Sequence, residues 1–232
     1  MMLLSAVDPE AVADALGQGA DDVISPPLSK RELLARLERC LAWSRRHAEM
    51  LTERDELRAL STTDGLTQVA NHRAFQERLR GEFRRAQRYD DPIALILMDV
   101  DHFKAVNDAH GHLVGDEVLK GVAGAISAAV RETDFVARYG GEEFAVILPK
   151  THLAGALTVA ERMTHELGRV RAGPEGAVRV TASFGVSGFP GRGITTTETL
   201  LRSADDALYR SKREGRNKIS LFQASLFVPR NA

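Results

Sequence analysis

The chain has 232 residues, 44% hydrophobic and 27% charged, the balance of a protein that buries a core. Its 31 Lys and Arg stand against 32 Asp and Glu, a formal net charge of -1, which lacks the basic excess of a protein gripping duplex nucleic acid or an anionic membrane. One cysteine, Cys40, excludes an internal disulfide framework, and apolar runs such as Ile93 to Met98 fall far short of the roughly 18 residues of a membrane span. No basic leader precedes Asp8 and Glu10, so a secretory signal is not expected, cytoplasmic placement is, and neither nucleic acid nor membrane is expected as a partner.

In chain order, Met2 to Leu4 reads as a strand, Pro9 to Leu16 as a short helix, and Asp22 to Ile24 as a strand closed by Ser25-Pro26-Pro27. Ser29 to Ser61 contains no Pro or Gly. Its Leu34, Leu37, Leu41, Ala48 and Leu51 keep largely to a seven-residue repeat, with a phase change before Leu57 and Leu60, so a long linker helix and a dimeric coiled coil are expected over 29–61. A helix packed on its own domain is the alternative. From Thr63 the pattern is that of a compact domain. Helices are expected over 74–89, 116–130, 153–170 and 197–214, and strands over 93–99, 178–187 and 218–222. Phe135 to Leu148 reads as a hairpin about Gly140-Gly141, where paired glycines tolerate positive φ. Mixed strands and helices argue for an α+β layer fold.

The acids suggest chemistry. Asp99 closes an apolar strand, Asp101 follows on the same side if the extended path continues, and Glu142 and Glu143 leave the hairpin turn. If the strands are neighbours, Asp99 and Glu142 meet at one rim, and converging carboxylates there suit Mg²⁺. Turn acids facing solvent are the alternative. His102, His110 and His112 read as unrelated loop histidines rather than as a transition-metal site.

Gly140-Gly141-Glu142-Glu143-Phe144 resembles the signature pentapeptide of the GGDEF family of diguanylate cyclases, in its Glu-Glu form. The resemblance runs from 63 to 222: Asp64-Gly65-Leu66-Thr67 with Asn71, Asp99-Val100-Asp101-His102-Phe103-Lys104 with Asn107-Asp108, Gly111-His112 with Gly115-Asp116, and a close from Ala204-Asp205 to Gly215-Arg216-Asn217. His72 stands where Arg is common in the family. The resemblance implies a mainly antiparallel sheet flanked by helices, nucleotidyl cyclase-like, over 62–225, with a tail at 226–232. It implies condensation of two GTP into cyclic di-GMP, with release of two pyrophosphates, by a homodimer. Two Mg²⁺ per active site, or Mn²⁺ in their place, would be held by Asp99, the Val100 carbonyl and Glu142. Glu142 is also a candidate proton acceptor, and Lys104 a catalytic cation. Asn107 and Asp116 match the guanine-reading pair, since an amide and a carboxylate can serve guanine's donors and its O6 acceptor. His112, Gly140, Gly141, Lys212 and Arg216 match substrate-binding positions, the last two on phosphate.

Arg131-Glu132-Thr133-Asp134 matches the family's RxxD product-inhibition site, with Arg162 as its secondary arginine. Residues 1–44 resemble the close of a response-regulator receiver domain, a partial α/β remnant with Pro26 where Lys is usual. The front half, with its phospho-acceptor Asp, is not in the sequence, so receiver-type phosphorylation is not expected of these residues. The competing expectation for the chain is a non-catalytic signalling module that binds cyclic di-GMP or GTP.

Overall fold

The computed structural model describes residues 2–3, 9–20, 22–24, 27, 29–60 and 62–222, with backbone alone for 2–3, 9, 11, 24, 49 and 51–60. The expected tail at 226–232 lies outside the described residues, as does Pro26. The chain divides into two units, Met1–Ser61 and Thr62–Ala232.

In the first unit β1 (Met2–Leu3) and β2 (Val23–Ile24) pair in parallel across α1 (Pro9–Gly17), and α2 runs over Lys30–Leu60. Asp22 fastens α2 to the strands by accepting from Arg36 at 3.2 Å, and that hydrogen bond holds its carboxyl below the usual range. Leu34, Leu41, Trp43 and Met50 on α2 are exposed. No described helix is long and apolar enough to cross a membrane.

The second unit contains α3 (His72–Tyr89), β3 (Ile93–Val100), α4 (Phe103–His110), α5 (His112–Ala129), β4 (Phe135–Arg138), β5 (Glu143–Pro149), α6 (Leu153–Leu167), β6 (Ala182–Phe189), α7 (Thr197–Arg213) and β7 (Ile219–Leu221). Its sheet runs β4-β5-β3-β6-β7; three of the four pairings are antiparallel and β6–β7 is parallel. The α+β expectation agrees with this. All eight residues of β3 are buried, Asp99 among them, as the apolar run Ile93 to Met98 requires of a strand covered on both faces. Side chains alternate across it. Ala94, Ile96, Met98 and Val100 pack with α5 and α6, through Val122, Ile126 and Met163, whereas Ile93, Leu95 and Leu97 pack with α3 and α7, through Phe75, Leu79 and Leu208.

Two expectations change. The paired glycines do not sit at positive φ, so the hairpin turn takes its shape without a left-handed residue there. His110, read as a loop histidine, closes a helix over Phe103–His110, with Phe103 its one buried residue.

Candidate active site

Strand parity builds the site. Asp99 follows Ile93, Leu95 and Leu97 onto the α7 face, and β5 places Glu143 directly opposite it, on the face of Ala145 and Ile147. The register therefore pairs Asp99 with Glu143, where the sequence reading paired it with Glu142. Glu142 stands one position on, in the turn, where its carbonyl accepts from the Val100 N–H at 3.2 Å. Burial pushes the Asp99 carboxyl above its ordinary range, against the pull of Lys212. Burial also raises Glu143, and the charge of Asp99 raises it further.

Lys212 Nζ lies 2.6 Å from Asp99 Oδ2. Its helix is fixed by close packing: a Cβ on Gly185 of β6 would fall 2.1 Å from the Ala204 carbonyl oxygen, so only glycine admits α7 at this distance. Ser211 then donates to the Phe184 carbonyl at 2.7 Å and lies 2.8 Å from the Ser220 hydroxyl, which sets the direction of the residue that follows it. The sequence reading placed Lys212 on phosphate; here it serves Asp99. Arg216 is exposed at positive φ, and its charge is felt at Asp99.

Asp101 does not join the pair. The strand ends at Val100, and the Asp101 carboxylate accepts from the hydroxyls of Thr181 and Ser183, each at 2.7 Å, and from the Asn217 N–H at 3.0 Å. Its oxygens are used in closing the loop at the sheet end.

The hairpin turn is held open and in place. A Cβ on Gly140 would meet a Glu143 carboxylate oxygen at 2.7 Å, whereas Gly141 has nothing within 4 Å. Arg138 donates to the Gly141 carbonyl from Nε at 3.1 Å and from Nη2 at 2.7 Å, and from Nη1 to Asp64 at 3.1 Å. Asp64 also accepts from the Thr67 hydroxyl at 2.6 Å and from its N–H at 2.9 Å. This clamp, which sequence reasoning missed, joins the Asp64–Thr67 motif to the glycine turn. Only the recurrence of acid and arginine in two motifs hinted at it.

On the α4–α5 side, Asn107 and Asp116 are half-buried, and His112 and Lys104 are exposed. Asn107 Oδ1 is buried with no hydrogen-bond partner among the described residues, and Gly115 makes its position possible, because a Cβ there would lie 1.9 Å from it. A buried acceptor left without a donor is costly, and a ligand N–H would relieve it.

Of the expected product-site residues, Asp134 Oδ2 accepts from the Arg131 N–H at 2.8 Å, and the Arg162 side chain donates to the carbonyl of Ala129, two residues before Arg131. Arg131 shares a cavity wall with Arg78 and Arg85 of α3, which the sequence reading did not include.

Among the described residues no three His, Cys, Asp or Glu side chains gather into a metal cage. The oxygens available are the Asp99, Glu142 and Glu143 carboxylates and the Val100 carbonyl. Carboxylates raised by burial, Glu143 also by the charge of Asp99, fit a hard cation that completes its shell with water and substrate phosphate.

A family model described as "Diguanylate cyclase, GGDEF domain" matches residues 61–218. The response regulator PleD of Caulobacter vibrioides is 39% identical over 224 residues, which cover 94% of this chain and 49% of PleD. Diguanylate cyclase DgcP of Pseudomonas aeruginosa is 39% identical over 72% of this chain and 25% of DgcP. The chain thus spans half or less of the length of these relatives. Among solved structures, the GGDEF domain of DgcB from Caulobacter crescentus, in complex with c-di-GMP, superposes with a TM-score of 0.65 at 36% identity, covering 69% of this chain and 95% of that one. The active GGEEF domain of a diguanylate cyclase from Vibrio cholerae gives 0.64 at 33% identity, covering 67% and 99%. With that match from 61 to 218, which spans both sides of the site, the chain belongs to the GGDEF-domain diguanylate cyclase family.

Proposed function

We propose that this chain condenses two GTP into cyclic di-GMP and two pyrophosphates. Each 3′-hydroxyl attacks the α-phosphorus of the other GTP; the bond to the bridging oxygen of pyrophosphate breaks and the hydroxyl proton leaves. The observation that carries the reading is the paired Asp99 and Glu143 carboxylates, raised together beside a turn whose Gly141 leaves the backbone open to a nucleotide.

Asn107 and Asp116 receive guanine, with Asn107 Oδ1 supplying the acceptor that still lacks a donor. His112 borders that base. Lys104 and Arg216 face the phosphates, and Lys212 turns to them once Asp99 is otherwise engaged. Asp99, the Val100 carbonyl and Glu142 would hold two Mg²⁺, or Mn²⁺, which when bound would supply activation of the attacking hydroxyl and charge neutralisation at the leaving group. Glu142 stands in the turn where it can accept the proton. One unit supplies one GTP, so two copies must face each other. Arg131 and Asp134, with Arg162, form a product site that restrains the reaction.

A second reading is a module that binds cyclic di-GMP or GTP without turnover. The Lys212–Asp99 ion pair favours it, since it neutralises that carboxylate without a metal. Turnover of GTP with Mg²⁺, scored as cyclic di-GMP and pyrophosphate over a range of protein concentrations, decides between them. Product that rises faster than linearly with protein and vanishes in Glu142→Ala is expected. Bound GTP with no product at any concentration would establish the module instead.

A further inference from the structure

Glu82 is a buried acid that the reaction does not use. It lies on α3, 6% exposed, with an arginine at each carboxylate oxygen: Arg78 Nη2 at 3.1 Å from Oε1 and Arg85 Nη1 at 3.9 Å from Oε2. Helical spacing makes the three neighbours, four residues back and three forward. Both arginines keep substantial exposure, 47% and 64% at the side chain, so each retains N–H donors beyond those facing Glu82. Arg78 is held from a second side, its guanidinium 5.7 Å from the centre of the Phe135 ring. Burying a carboxylate for such pairs brings little net stability. What it does bring is a fixed direction for two guanidinium groups.

Those groups wall a cavity of about 390 Å³, together with Arg131, Asp91 and Lys150. The volume falls within the range of about 300–1,000 Å³ usual for small-molecule sites. Four cationic side chains against two carboxylates leave a surplus of two positive charges, the charge carried by the two phosphodiesters of a cyclic dinucleotide. Arg131 therefore has cationic company on α3, beside Arg162, whose side chain donates to the Ala129 carbonyl.

We propose that Glu82 is a positioning residue of the product site: it holds Arg78 and Arg85 as preset guanidinium forks beside Arg131 and so sets how tightly the chain binds cyclic di-GMP. The inference rests on Arg131 being a product ligand. Three arginines without an acid among them would repel and spread, and ordering them on binding would cost rotamer freedom. Held by Glu82, they meet the phosphates already arranged.

Calorimetric titration of the full chain with cyclic di-GMP tests this. Glu82→Gln keeps the shape and removes the charge, and the Kd is expected to rise about tenfold, the scale of one charge-assisted contact. In an Arg78→Ala/Arg85→Ala background the same substitution is expected to change Kd by less than about twofold, because its effect passes through those two arginines. A purely structural role would weaken binding equally in both backgrounds, and that result overturns the proposal. So does an unchanged or lower Kd in Glu82→Gln while Arg131→Ala binds weakly. Tight binding by Arg131→Ala overturns the product-site reading itself, and the inference with it. Should the Gln variant not fold, Glu82→Asp, which withdraws the charge by one methylene, must weaken binding in the same direction.

Discussion

Arg138 divides its guanidinium between the Gly141 carbonyl and Asp64, and Asp64 in turn closes the loop on Thr67. Burial works against the Asp64 charge, but the Thr67 and Arg138 hydrogen bonds outweigh it and hold the carboxyl below its usual range. A depressed folded-state pKa contributes stability that is present above the unfolded value, about 3.9, and is lost as pH falls through the folded value. Asp64→Asn is therefore expected to cost about 2 kcal/mol in urea unfolding at pH 7, with the gap to wild type closing below about pH 4. A gap that stays constant with pH would assign the loss to packing. At this scale the sequence showed the acids but not their partners. That Asp99 faces Glu143 follows from a register that only the paired strands define, and Asp101 looked equivalent to Asp99 until the strand stopped at Val100.

The elements that were legible are those with one strong period. The β3 run and the apolar faces of α3 and α7 read directly as strand and helices, because a covered strand and an amphipathic helix each write their burial into spacing. α4 was not legible, since eight residues with only Phe103 buried give too few apolar positions to define a face. β6 begins at Ala182 rather than at Val178, which instead bridges back to Ala172. The joint between α4 and α5 offers a sharper test. Gly115 lies against Asn107 with no room for a methyl group, so Gly115→Ala must displace the Asn107 side chain or the helix itself. Expected is a rise of at least about tenfold in the Kd for GTP, from the loss of a contact at a buried acceptor, measured by titration with a non-hydrolysable analogue. Unchanged affinity would remove Asn107 from the guanine site.

For the whole molecule, both core clusters lie within the second unit. A fragment from Thr62 onward is expected to melt cooperatively by itself, yet to turn over less GTP per molecule than the full chain at equal low concentration. The long α2 that we read as the partner-seeking element is missing from it. Melting curves and concentration-dependent turnover of the two proteins check this, and equal turnover would take α2 out of assembly. The sheet order carries a further consequence, for biosynthesis. β3 is the central strand, yet its partner β6 lies roughly ninety residues downstream. As the chain leaves the ribosome, a strand whose first six residues, Ile93 to Met98, are all apolar must wait for most of the unit before its second edge is covered. Until then it is the segment most exposed to aggregation and to chaperone capture, so a chain released before Ala182 cannot complete the fold, however intact its acids and glycines.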